Sequence, residues 1–232
     1  MDVEIKVNFT GAQIEQAKDV FGLRADDAEE REIRFGEIRT GADGRDALPL
    51  LGRGVILRVR SKKESGEVTV KLRGPDGCIA EPAWTAAVAQ LAGEKKLEGD
   101  WADRRLVSAS LTAKSDKAGR EDLNEDSPAI VDVMSEDQKS LANALMVPLG
   151  EVELLRPIAA RKWKHKHDGD VDAEEWTVGE LHFLEISVLA KADPDGAQRA
   201  LHQRVVDGGL KLEEAQKPKT TLVLKYLTGA AD

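Results

Sequence analysis

Acidic and basic residues recur two positions apart at several places in this 232-residue chain. Asp2, Glu4 and Lys6 alternate with Val3, Ile5 and Val7. Arg58 and Arg60 are two apart, as are Lys71 and Arg73, and Lys162 and Lys164. Residues i and i+2 of a strand point to the same side, so each set makes an ionic face. Carboxylates so placed can hold Mg²⁺ or Mn²⁺ through oxygen ligands. Arginines so placed can grip phosphate oxygens with paired donors, and lysine adds a point charge. Phosphoryl transfer is the chemistry that uses both: cations surround the phosphate, and a carboxylate-held metal orients water. It needs no activated side-chain nucleophile, and none is apparent.

Composition narrows the class. Lys plus Arg number 34 and Asp plus Glu 43, a formal charge of −9, which argues against broad binding to nucleic acid or anionic lipid. Aromatic residues make up only 4%, too few for base-stacking platforms. Cys78 is the single cysteine, so no internal disulfide forms and a reducing cytoplasm is the expected compartment. No apolar run approaches the roughly 20 residues of a membrane span, and the N-terminus does not read as a signal peptide.

The elements that must carry the ionic faces can be traced along the chain. Alternation predicts a strand over 2–9, and Ile14, Ala17, Val20 and Phe21 share one face of a helix over 12–21. A second strand is expected over 31–39, and the glycine-rich stretch 41–54 should turn. Residues 54–61 and 67–74 read as a hairpin around Lys63–Gly66. Helical spacing follows at 83–92. Residues 105–114 return to strand alternation, 115–127 read as an exposed loop, and 129–134 as a short strand. Ser135 and Gln138 form a capping box that opens a helix over 136–146. Strands over 157–166 and 175–190 flank a charged loop, a helix covers 193–207, and a last strand is expected over 219–227. The sum is an α+β fold with eight or so mostly antiparallel strands, in a single domain over 1–232.

A solvated sheet face would account for these charges without any function. Two features argue otherwise. The chain is acidic, yet Arg and Lys are concentrated on the strand faces. Four helices also need apolar sheet faces to cover. If they wrap a closed sheet, the ionic faces point inward. Unpaired buried charge is costly unless a polyanion with a divalent metal, or water, compensates.

The Asp2-x-Glu4-x-Lys6 run resembles the ExExK signature of the CYTH, or triphosphate tunnel metalloenzyme, superfamily. ILRVR with Arg58 and Arg60 is similar to that family's LRxR strand, and VTVKLRGP with Lys71 and Arg73 to its LTxKGP-type strand. ARKWK is similar to its basic strand and FLEISV to its closing ExE strand, in the same order, from residue 2 to about 227. Two positions depart: Asp2 replaces the first acid, and Ser187 stands where the closing strand has its second. The resemblance implies an eight-stranded antiparallel tunnel with a charged interior and helices packed outside. It implies metal-dependent hydrolysis of inorganic, thiamine or nucleoside triphosphate with Mg²⁺ or Mn²⁺. A non-catalytic polyphosphate- or nucleotide-binding module and an adenylate cyclase on the same fold are the alternatives. Asp2, Glu4 and Glu185 would hold the metal, with Glu4 and Lys6 catalytic. Lys6, Arg58, Arg60, Lys71, Arg73, Arg161, Lys162 and Lys164 would grip phosphate, and Lys219 or Lys225 would reach in from the last strand. The implied partner is a triphosphate-containing small molecule or polyphosphate, bound by a monomer or homodimer.

Other signals have plainer explanations. His165, His167 and Asp168 invite zinc but read better as an exposed strand end. Asp168, Asp170 and Asp172 lack the glycine and glutamate spacing of a calcium loop, though Asp172 would add an acid at a tunnel mouth. Trp84, Trp101, Trp163 and Trp176 read as core or rim. Cys78 reads as inert, and Gly74–Gly77 as a turn rather than a phosphate loop. Glu98 and Asp100 read as a surface turn ahead of a strand, with a tunnel acid as the alternative.

Overall fold

A computed structural model of the chain describes residues 1–38, 48–75, 79–102, 104–125, 129–164, 171–212 and 218–229. Ten strands are formed: β1 (Val3–Thr10), β2 (Glu29–Ile38), β3 (Val55–Ser61), β4 (Gly66–Pro75), β5 (Glu94–Trp101), β6 (Arg105–Ser115), β7 (Val152–Leu154), β8 (Ile158–Lys164), β9 (Val171–Val178) and β10 (Leu181–Ala190). The helices are α1 (Gln13–Phe21), α2 (Pro49–Gly52), α3 (Glu81–Val88), α4 (Arg120–Glu125), α5 (Ile130–Val133), α6 (Glu136–Ala144), α7 (Pro194–Asp207) and α8 (Lys219–Thr228).

Nine strands pair in the order β3-β4-β6-β5-β1-β10-β9-β8-β2, and pairing of β2 with β3 closes the ring. The short β7 pairs with the end of β2 outside it. The expected eight-stranded antiparallel barrel is thus corrected to a nine-stranded mixed one. Parity explains the mixture: an odd ring cannot alternate direction all the way round. The one parallel pair is β1–β5, with Glu4 beside Asp100.

The apolar faces of β1, β4 and β6 point outward, whereas Ile56, Ile158, Trp176 and Phe183 lie on the same strand sides as the cavity residues and pack against Val223 and Leu224 of α8. Val3, Ile5, Val7 and Phe9 of β1 pack with Ile14, Ala17 and Phe21 of α1 and Leu201 and Val205 of α7. Val68, Val70 and Leu111 of β4 and β6 pack with Leu141 and Ala142 of α6. The capping box forms as expected, with Ser135 N donating to the Gln138 side chain and Gln138 N to Ser135 Oγ. The same buried Gln138 donates to the carbonyls of Val68 and Leu111, which ties α6 to β4 and β6.

Several expectations change. The run 175–190 is two strands, β9 and β10, turning at Gly179 with φ 55°. Glu98 and Asp100, read as a surface turn, lie in strand β5. Its inward face is wholly ionic, and its outward face includes Gly99, where a Cβ would stand 2.9 Å from Val3; little apolar alternation remains to be seen. Residues 129–134 contain helix α5 instead of a strand, and 116–125 is largely helical instead of a loop. The stretch expected to turn before β3 contains the short α2. The tail 219–227 lies within helix α8, not a strand. Its Thr and Val residues favour a strand locally, but a closed ring offers no free edge to extend. The readings of His165, His167, Asp168, Asp170, Cys78 and Gly77 lie outside the described residues. Among the described residues no helix is long and apolar enough to cross a membrane.

Candidate functional site

Beside the apolar cluster under α8, the ionic strand faces line a cavity of about 500 Å³ inside the barrel. Its walls carry cations and carboxylates side by side. Their pairing differs from wall to wall.

On the β1–β5 side, Lys6 Nζ lies 2.8 Å from both Glu4 Oε2 and Asp100 Oδ1. Asp100 also receives Arg73 at 2.7 Å and Lys71 at 3.3 Å. Burial pushes Glu4 upward, but the Lys6 ammonium overrides it and holds the carboxyl down at about 2. Asp100 is likewise held well below the usual carboxylate range: burial opposes this, and Lys6, Lys71 and Arg73 outweigh burial. Burial opposes the charge on Lys6 as well, and Glu4 and Asp100 raise it above the ordinary lysine value. On the β9–β10 side, Glu174 and Glu185 are direct cross-strand partners. Lys219, the first residue of α8, bridges them at 2.7 and 3.1 Å, with its ammonium 4.1 Å from the Trp176 ring centre.

The β3–β4 wall is different. Arg58 and Arg60 both face the cavity, and among the described residues neither makes a salt bridge within 4.0 Å. Among the described residues the buried Nε atoms of Arg58, Arg60 and Arg73 have no hydrogen-bond partner. Burial, with Arg60 alongside, pushes Arg58 down to about 9. Burial also pushes Lys71 down to about 8, with Arg73 and Lys6 adding to the effect against Asp100. Lys162 enters from β8, 3.6 Å from Asp172 on β9. This wall holds positive charge in excess of its partners, and a bound polyanion would relieve it.

Local structure sets these positions. Gly54 takes φ +74°, and a Cβ there would stand 2.0 Å from the Arg73 carbonyl oxygen. Arg73 N donates to Gly54 O at 2.7 Å, so the glycine lets β3 enter close against β4 where Arg73 sits.

Of the residues selected from sequence, the fold gathers Glu4, Lys6, Arg58, Arg60, Lys71, Arg73, Lys162 and Glu185 around the cavity. Asp2 precedes β1 and is exposed. Arg161 points to the outer side of β8, near Glu30 at 3.9 Å, and Lys164 is exposed at the strand end. Lys219 lines the cavity, but from a helix, and Lys225 is half-buried on the same helix. Sequence reasoning missed Glu174, although Asp172-x-Glu174-x-Trp176 repeats the ionic alternation, and it set Asp100 aside as a surface turn.

The residues expected to share a divalent ion do not meet. In the β1–β10 register Glu4 lies opposite Leu189, whereas Glu185 lies opposite Asn8. Four residues of strand, about 13 Å of backbone rise, separate their Cα positions. Ligand oxygens must lie about 2.0–2.6 Å from a shared Mg²⁺ or Ca²⁺. Among the described residues no three His, Cys, Asp or Glu side chains come together to hold a metal. The expected metal set therefore does not fit this tunnel.

No protein-family model matches the sequence, and neither does any curated protein. Solved structures do. A candidate adenylate cyclase from Bacillus halodurans superimposes with a TM-score of 0.61 at 10% identity, over 95% of this chain and 96% of its own. A candidate adenylyl cyclase from Hippeastrum, described as having a dominant triphosphatase activity, gives 0.62 at 12% identity, over 100% and 98%. This chain shares their fold.

Proposed function

We propose that the barrel binds a linear triphosphate group, on a small molecule or a short polyphosphate, and promotes its hydrolysis. The observation that carries this reading is the arginine pair of β3. Arg58 and Arg60 are held inside the cavity without salt bridges and with unused buried donors. Two guanidinium groups on one face match successive phosphates of a chain. Lys162 and Lys71 add charge from neighbouring strands. The CYTH resemblance and the Hippeastrum neighbour support the same substrate class.

The chain's own groups suggest how hydrolysis would run. Cations fixed around the terminal phosphate and bridging oxygen stabilise the charge that develops as the P–O bond breaks. Glu174 Oε1 is a buried acceptor without a hydrogen-bond partner, inside the cavity. Burial opposes the ionised form, but Lys219 and Arg60 keep the carboxyl well below its ordinary value. As a fixed carboxylate it would hold the charge of Arg60 beside the phosphate. A water oxygen bonds to the terminal phosphorus, the remaining diphosphate part of the substrate leaves with the bridging oxygen, and the water's proton passes to the product phosphate.

The test is phosphate release from tripolyphosphate, ATP and thiamine triphosphate, in Mg²⁺, Mn²⁺ and EDTA, beside Arg58→Ala and Glu4→Ala. Release that Arg58→Ala abolishes supports the assignment. Release unchanged by it overturns the assignment. The failure of the expected metal ligands to converge favours a second reading, a module that binds triphosphate without turnover. Its signature is a rise in Tm with tripolyphosphate that is not consumed.

A further inference from the structure

The two acid pairs of the tunnel are built alike. Glu4 and Asp100 sit side by side on β1 and β5, and Lys6 Nζ stands 2.8 Å from an oxygen of each. Glu174 and Glu185 face each other on β9 and β10, and Lys219 Nζ stands 2.7 Å from one and 3.1 Å from the other. Paired carboxylates on neighbouring strands are where a divalent cation would bind. Here each pair encloses an ammonium group that the chain supplies.

Neither ammonium is placed by chance of rotamer alone. Lys6 follows Glu4 by two residues on the same strand, so both project into the cavity. Lys219 opens α8, is 5% exposed, and is fixed from a third side by the Trp176 ring. Val223 and Leu224 of α8 anchor the helix in the apolar cluster of Phe35, Trp176 and Phe183. A divalent ion bridging either pair would have to stand where the ammonium now stands, or within a few ångströms of it in a site of low dielectric. Moving Lys6 aside would also strip Glu4 of the partner that holds it ionised.

We infer that the tunnel takes its phosphate chain as the free polyanion, not as a Mg²⁺ or Mn²⁺ complex, with Lys6 and Lys219 serving as built-in monovalent counter-ions of the two acid pairs. The inference rests on the reading of the tunnel as a phosphate site. It explains the asymmetry of the walls. With the acid pairs satisfied from within, Arg58 and Arg60, which make no salt bridge among the described residues, are left for the ligand. A free triphosphate brings more negative charge to them than its metal complex does.

The decisive experiment is titration calorimetry of the whole protein with sodium tripolyphosphate, in EDTA and in excess Mg²⁺. The Kd in EDTA is expected to equal that in Mg²⁺ within about threefold, or to be lower. Binding at least roughly tenfold weaker in EDTA overturns the inference. Absence of binding in both buffers overturns the phosphate reading itself, so the two failures are distinguishable. A second measurement asks who occupies the acid pair. Mn²⁺ is titrated into the phosphate-free protein and its free-ion EPR signal followed, for wild type and for Lys219→Gln with its fold checked by circular dichroism. Wild type is expected to leave Mn²⁺ free, and uptake gained by Lys219→Gln supports the inference. Stoichiometric uptake by wild type sinks it. If Lys219→Gln does not fold, the wild-type titrations decide alone.

Discussion

Two kinds of wall in the same tunnel treat buried charge in opposite ways. On the β1–β5 and β9–β10 walls each acid pair encloses a lysine, and the groups stabilise one another's ionised forms. On the β3–β4 wall Arg58 and Arg60 stand inside without salt bridges, and burial drives Arg58 down to about 9. Compensated charge is part of what holds the barrel together. Uncompensated charge is strain held in reserve for a ligand. The first kind should be costly to remove, and the second should be costly only to binding.

The largest effect is expected from the compensated walls. Lys219→Met leaves Glu174 and Glu185 facing each other in a buried site, and Lys6→Met takes the ammonium from Glu4 while Asp100 keeps Arg73 and Lys71. Breaking a buried pair from one side costs about 3–5 kcal/mol, so thermal denaturation should show a Tm lower on the order of 10 °C. A Tm within about 2 °C of wild type would erase the distinction between the walls.

Arg58→Met should have the opposite signature. It removes a desolvated cation that has no salt bridge among the described residues and feels Glu174 and Glu4 only at longer range, so Tm should change little. Tripolyphosphate binding should weaken by about 2 kcal/mol, the loss of one charge-assisted contact, or roughly thirtyfold in Kd by calorimetry. A variant that loses stability and keeps affinity would reverse the argument.

The pH dependence is a smaller test of the same wall. Lys71 falls from an ordinary 10.5 to about 8 in the folded protein. Between those values the unfolded chain holds a proton that the folded protein has released. Lys71 should therefore make the stability of the ligand-free protein rise with pH across this window, contributing at most about 1.4 kcal/mol per unit. Below pH 8 both states are protonated and the slope vanishes. Tripolyphosphate affinity should fall over the same window. Measuring it as the difference between wild type and Lys71→Met cancels the ligand's own titration. A flat difference would remove Lys71 from the phosphate site.

The smallest effect belongs outside the tunnel. The Arg161 side chain is 51% exposed and lies 3.9 Å from an exposed Glu30. Arg161→Ala should change neither Tm nor tripolyphosphate affinity by more than about 0.5 kcal/mol. A large loss of binding would mean that the strand presents its other face to phosphate.

The alternation of charged with apolar residues, a property of the sequence alone, marked β1, β3, β4 and β8 and named most of the cations that line the cavity. It did so because strand geometry sends every second side chain to the same side whatever the fold. The capping box before α6 was equally legible, since it depends only on residues three apart. Closure of the sheet was not. The number of strands in the ring, and with it the parallel β1–β5 pair that sets Asp100 beside Glu4, depends on which edges meet after some 95 intervening residues. The tail illustrates the same limit. Its strand-like residues fold as a helix because the closed ring leaves no edge to join, and that helix carries Lys219 to an acid pair whose Glu174 lay outside the sequence reading. Which side chains are ionic was written locally. Which of them neutralise each other, and which are left for a ligand, was decided by register across the barrel, because charges interact through distances that only the tertiary structure fixes.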